Sequence, residues 1–211
     1  MTNSCASKIR RFLDWIIIRL SRSLNVDGLW VGVFSDKAND EILARVGEAI
    51  RLVKTYDPYR YRRIIKELDR ILVGLISGYV AVFVPESRMC VIDPRHILSS
   101  SPEFIASSIV HEATHGTLIR RNIGYSEELR YRVEKVCMRQ ERAFAQKIPH
   151  GEELRRSIER ELALAPEFWS NEAVSERHRE GEIAMARYAG MPNWLLMALQ
   201  NFRKLKAVGR H

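Results

Sequence analysis

Two histidines four residues apart, with a glutamate directly after the first, form the run His111-Glu112-Ala113-Thr114-His115. On an α-helix, with 3.6 residues per turn, such positions project from one face, so both imidazoles can turn towards a single divalent cation. Glu112 then stands beside that cation without having to ligate it. From there its carboxylate can take a proton from a water molecule.

A zinc site of this kind needs a third protein ligand and keeps a fourth position open. A second helix beginning after only a few residues must lie antiparallel to the first. If the turn centres on residues 122–125, a residue level with His111 and His115 falls in the low to middle 130s. Glu134 meets that condition, and Glu141, two turns further along the same stripe, is the alternative. At that height Glu141 is better suited to orienting a histidine than to reaching the ion. The expectation is one Zn2+ held by His111, His115 and Glu134, with Glu112 as the catalytic base. Cys137 shares the stripe, but a lone cysteine in a helix core ordinarily packs as a small hydrophobe. One of His96, His150, His178 and His211, or else Tyr125 or Tyr131, could serve as oxyanion donor, and spacing does not choose among them.

The elements that must carry these residues are legible around them. Ser101-Pro102-Glu103 supplies a cap, a first-turn proline and a first-turn acid, so a helix is expected over 102–121 with Ile105, Ile109, Val110 and Ala113 towards the core. Gly116 leaves room for another backbone to approach, and Gly124 offers a left-handed helix stop. Ser126-Glu127-Glu128 starts the partner helix, which runs to about Lys147. Upstream, Tyr79–Val84 and Met89–Ile92 read as a hairpin, and residues 28–34 as a short strand. Helices are expected over 8–24, 37–56 and 59–70, and again from 152 onwards with breaks near Pro166 and Gly190-Met191-Pro192. His96 and His178 are placed on the surface or in loops. The fold class is α+β: a mostly helical domain with a small mixed or antiparallel sheet and an active-site helix packed on a following antiparallel helix.

With 211 residues the chain is read as a single domain, 1–211, made of an N-terminal amphipathic helix (1–24), a core at 79–149 and a C-terminal helical region (150–211). Its three cysteines, Cys5, Cys90 and Cys137, are well separated and form no CxxC pair, which fits a reducing cytoplasm and not a disulfide framework. The apolar stretch at 12–20 is interrupted by Asp14 and Arg19 and lacks a small-residue cleavage site, so it is not read as a signal peptide. Neither that stretch nor residues 71–85 is long enough to span a bilayer. Residues 8–22 combine an apolar side with four arginines and so offer a peripheral membrane contact, against the simpler reading of a helix packed on the domain. The net charge of +8 is spread among glutamates, without a nucleic-acid-binding signature, which speaks against nucleic acid as a partner.

The run Ser108-Ile-Val-His-Glu-Ala-Thr-His-Gly116, together with Glu134 or Glu141, resembles the zincin metallopeptidases and, within them, the gluzincins. The likeness covers roughly residues 79–149, about a third of the chain. It implies a zinc-dependent hydrolase of amide bonds, acting on a peptide or protein that pairs with an edge strand before the active-site helix. Tyr79–Val84 or Met89–Ile92 would be that strand. The alternative is a catalytically inactive zinc-bearing module that docks on a partner or an anionic membrane.

Overall fold

The computed structural model describes residues 16–34 and 38–197. Five strands form one mixed sheet in the order β1-β2-β3-β5-β4: β1 (Arg22–Val26), β2 (Leu29–Val33), β3 (Arg70–Val73), β4 (Ala81–Val84) and β5 (Met89–Ile92). After the β1–β2 hairpin come the helices α1 (Asn39–Tyr56), α2 (Pro58–Glu67), α3 (Pro94–Ser99), α4 (Pro102–Arg120), α5 (Glu127–Ala145), α6 (Glu152–Leu162) and α7 (Asn171–Tyr188), and residues 193–197 are helical as well. This is the α+β, mostly helical architecture expected from the sequence.

The helix expected over 8–24 lies partly outside the described residues. Residues 16–20 are helical, but the chain then enters β1. Asp27 and Gly28 both adopt positive φ (53° and 94°), the two-residue turn whose twist matches a hairpin. That turn returns Arg22–Val26 alongside Leu29–Val33 and buries Val26 and Leu29. β3 has no counterpart among the expected elements. It lies within the apolar run after Asp69 and pairs parallel to β2 on one side and to β5 on the other, so Ile71, Leu72 and Val73 are all buried. A strand enclosed this way shows no alternation, and its four residues are indistinguishable in pattern from the end of α2.

The expected hairpin is present, and it sets the free edge of the sheet. β4 is the outermost strand and runs antiparallel to β5, with Phe83 opposite Cys90. The Asp93 amide donates to the Val80 carbonyl (2.9 Å), so alternate residues Val80, Val82 and Val84 bond inwards to β5. Ala81 and Phe83 therefore turn their main-chain groups away from it.

α4 packs against α1, α2, β4 and α5 together, an enclosed position for a helix carrying polar residues. Its core side is Ile105, Ala106, Ile109, Val110 and Ala113, all buried as expected. Gly116 is enclosed by side chains and not by a backbone: a Cβ there would lie 3.1 Å from Cβ of Glu67 and 3.2 Å from Cζ of Phe83. The residue that takes the left-handed conformation after α4 is Asn122 (φ 59°), not Gly124, and the Ile123 amide then closes on the Leu118 carbonyl. α3 is a further addition: Asp93 caps it through the Arg95 amide (2.8 Å), with Pro94 in the first turn.

Beyond α6, residues Pro166–Trp169 form a short 3-10 turn leading into α7, and none of the residues in that turn or in α7 is buried. This arm is tied down at both ends. At one, Glu127 accepts from the amide and side chain of Asn171 (2.7 and 2.6 Å), while Arg130 donates to the Trp169 carbonyl (2.8 Å). At the other, Gly181 meets the backbone of Gly78 so closely that a Cβ would fall 1.9 Å from its nitrogen. No described helix is long and apolar enough to cross a membrane.

Candidate metal centre

α4 and α5 lie antiparallel and face each other across the histidines. His111 and His115 direct their Nε2 atoms to within 3.1 Å of each other. From α5, Glu134 brings one carboxylate oxygen to 3.1 Å from His111 Nε2 and the other to 3.6 Å from His115 Nε2. Three corners of a tetrahedron with bonds of about 2.0–2.1 Å lie roughly 3.3–3.4 Å apart. The two Nε2 atoms and the Glu134 carboxylate are close to that spacing, though through different carboxylate oxygens, so two imidazoles and a carboxylate of the type zinc takes are gathered at one point.

Glu141 does not join them at Nε2. It sits on the far side of the His111 ring, 2.5 Å from Nδ1, with its second oxygen accepting from the Ser107 hydroxyl at 2.6 Å. A proton held between Nδ1 and Glu141 leaves the Nε2 lone pair facing the cation position. The two glutamates that sequence spacing left in competition therefore occupy different places: Glu134 against both Nε2 atoms, Glu141 behind one ring.

Cys137 also comes close, with its sulfur and the two histidine nitrogens all within 4.8 Å of one another. It is fully enclosed beside Leu118 and Val133, and burial pushes its thiol well above its ordinary range. Glu134 is ionised: burial alone would raise its pKa, but His111, His115 and Tyr125 bring it down to about 2. The carboxylate is the better donor on charge.

The other groups divide sharply. Burial lowers His115 to about 4, with His111 adding to the shift, so its ring is neutral and ready to ligate. Burial would lower His111 as well, but Glu141 and then Glu134 reverse the direction and hold it well above the ordinary value. Glu112 is buried on the same helix, and that burial raises it to about 7 while the Phe83 amide donates to it. A carboxylate poised near neutrality can both accept and return a proton.

The histidines open into a cavity of about 640 Å³. β4 forms one wall, and the side of α4 from Phe104 to Ile119 forms the floor. Leu154 and Ile158 of α6 stand opposite, and Phe168, Trp169 and Arg177 of the arm close the far end. Tyr125 reaches in from the turn between α4 and α5, donates its hydroxyl to Glu134 and sets its ring edge-on to His115 at 5.4 Å. Tyr131 instead lies under Lys135 and is not part of the lining. His96, expected at the surface, is half-buried in the wall between Ser100 and Ser108, each 3.0 Å from a ring nitrogen. The spacing of 108, 111 and 115 along α4 could have suggested Ser108 as a neighbour of the site, but nothing local to the sequence pointed to His96. His178 is outside the cavity and bonds Ser77 at 2.7 Å.

No family model, no curated protein and no solved structure matches this chain. The functional reading therefore stands on the site's own geometry.

Proposed function

We propose that this protein is a zinc-dependent peptidase of the zincin type, with His111, His115 and Glu134 as ligands and Glu112 as catalytic base. The observation that carries the reading is the convergence of two Nε2 atoms and one ionised carboxylate at 3.1–3.6 Å, from two antiparallel helices, directly beneath an antiparallel edge strand. Zinc bound there would supply Lewis acidity, acidifying a water molecule and polarising a carbonyl.

The chain's own residues supply the remainder. Glu112 accepts the proton of the attacking water and returns it to the leaving nitrogen, for which a carboxyl raised by burial is matched. Glu141 and Ser107 hold the His111 ring in register. The Tyr125 hydroxyl, already beside Glu134, is placed to donate to the oxygen on which charge develops. An extended peptide adds to the outer edge of β4 through the main-chain groups of Ala81 and the carbonyl of Phe83, which turn away from β5, the Phe83 amide being held by Glu112. The apolar walls keep bulk water away from these charges and strengthen their effect.

The test is metal analysis beside turnover of a mixed peptide library. Wild-type protein is expected to bind one zinc and cleave. His111→Ala, His115→Ala and Glu134→Ala are expected to lose the metal. Glu112→Gln is expected to keep it and lose at least about 100-fold in turnover. Full zinc occupancy in Glu134→Ala, or cleavage undiminished in Glu112→Gln, would refute the assignment.

A further inference from the structure

The side of α6 turned to the cavity carries Leu154, Ser157, Ile158 and Glu161, the i, i+3, i+4, i+7 positions of one helical face. Leu154 and Ile158 are buried and belong to the main core. The next position on such a stripe is ordinarily apolar, and here it is a glutamate.

Four carboxylates line the cavity, and three of them have partners. Glu134 meets both histidines and Tyr125, Glu141 meets His111 and Ser107, and Glu112 receives the Phe83 amide. The Glu161 side chain makes no hydrogen bond or ion pair with any described residue. The nearby arginines are committed elsewhere. Arg177 donates to the Phe168 carbonyl at 2.8 Å and lies 4.0 Å over that ring, while Arg160 donates to the Arg156 carbonyl at the solvent. Glu161 lines the cavity yet stays exposed to solvent; Glu141 lies close enough to add to its unfavourable charge, while His111 and Arg160 offset part of it. A carboxylate that interrupts an apolar stripe, faces a cavity and holds no hydrogen-bonded or ion-paired side chain is available to a cation brought in by a ligand.

We propose that Glu161 is the specificity-determining residue of this cleft, receiving a cationic group of the bound peptide, an ammonium or guanidinium, beside the bond presented to His111, His115 and Glu112. The aromatic faces of Tyr79, Phe168 and Trp169 in the same lining suit the aliphatic stem that carries such a charge. This rests on the peptidase reading, and its test separates the two.

The experiment uses the full-length, zinc-loaded protein with Glu112→Gln, so that binding is measured without turnover. The probes are short peptides capped at both ends that carry either one lysine or its uncharged isostere norleucine. A third probe, the norleucine peptide with a free amino terminus, distinguishes a side-chain cation from a terminal one. Calorimetry is expected to show about tenfold tighter binding of at least one charged probe over the capped norleucine peptide. Adding Glu161→Gln is expected to reduce that preference to within about twofold and leave the affinity for the norleucine peptide unchanged. Glu161→Lys is expected to reverse the preference in favour of a glutamate-containing peptide. Equal affinity for all probes, or a charge preference that survives Glu161→Gln, overturns the Glu161 proposal alone. Failure of every peptide to bind a zinc-loaded protein overturns the peptidase reading together with it.

Discussion

Glu141 touches neither the open cleft centre nor the Nε2 atoms, yet it decides which nitrogen of His111 is free. Its replacement by alanine is expected to weaken zinc affinity by about 10–100-fold without abolishing binding. Glu134→Ala, by contrast, removes a donor and is expected to leave no stoichiometric site. Competition with a chromophoric chelator separates the two outcomes, and equal losses would mean that the roles of the glutamates are not distinct. Tyr125 allows a similarly sharp test. Tyr125→Phe removes the hydroxyl but keeps the ring edge against His115, so zinc content is expected to stay at one while kcat falls about 100-fold with little change in KM. A loss confined to KM would instead place the hydroxyl in ground-state binding.

At the level of elements, the helix pair depends on buried charges some distance from the cleft. Asp57 is wholly buried, caps α2 through the Arg60 amide (3.2 Å), pairs with the Arg60 guanidinium and receives Lys147 at 3.0 Å from just beyond α5. Glu67, at the end of α2, clasps Arg120 at the end of α4 (2.6 Å). Burial alone would raise both carboxyls, but the cations more than reverse it and hold both below their ordinary range. A carboxyl depressed by folding contributes stability that is fully present above its unfolded pKa and is lost as pH falls through its folded one. Thermal stability is therefore expected to fall as pH drops below about 4. Asp57→Asn is expected to flatten that decline and, at neutral pH, to cost about 3 kcal/mol by leaving Arg60 buried without its partner. Melting curves from pH 3 to 7 on both proteins decide the point, and an unchanged acid limb in the variant would remove Asp57 from the account.

For the whole molecule, the contrast lies between a densely packed body and an arm held by a few contacts along its length. The arm closes the far end of the cleft but buries none of its own residues in the 3-10 turn or α7. Its seating can therefore be disturbed with little effect on the core. Gly181→Val would drive a side chain into the Gly78 backbone. It is expected to make residues 163–190 rapidly cleavable by an added protease while shifting the main melting transition by less than about 2 °C. A large drop in that transition would show the arm to be integral to the core. Under the proposed function zinc would act on the body itself, since its ligands would come from α4 and α5 together. Chelation is expected to lower the melting temperature, and restoring zinc at a hundred times its dissociation constant is expected to return about 2.7 kcal/mol.

The helix face that aligns His111, Glu112 and His115 follows from local spacing, because a 3.6-residue period fixes which residues share a side whatever surrounds them. The short connection after α4 likewise requires α5 to return antiparallel, which brings Glu134 level with the histidines by residue count alone. Local chemistry is also sufficient for the β4–β5 hairpin and the proline-capped start of α4. Other features lie beyond its reach because they depend on partners distant in the chain. The Asp27-Gly28 turn is visible, but strand Arg22–Val26 exists only because Leu29–Val33 pairs with it. Arg70–Val73 becomes a strand only between two parallel neighbours. Glu141 and Glu134 carry the same side chain on the same stripe, so only the height and rotation of one helix against the other assigns them different sides of His111. Tyr125, His96 and Glu161 reach the cleft from a turn, a short helix and a helix that begins 37 residues after His115. Periodicity reports which residues share a face, whereas tertiary packing alone decides what that face meets.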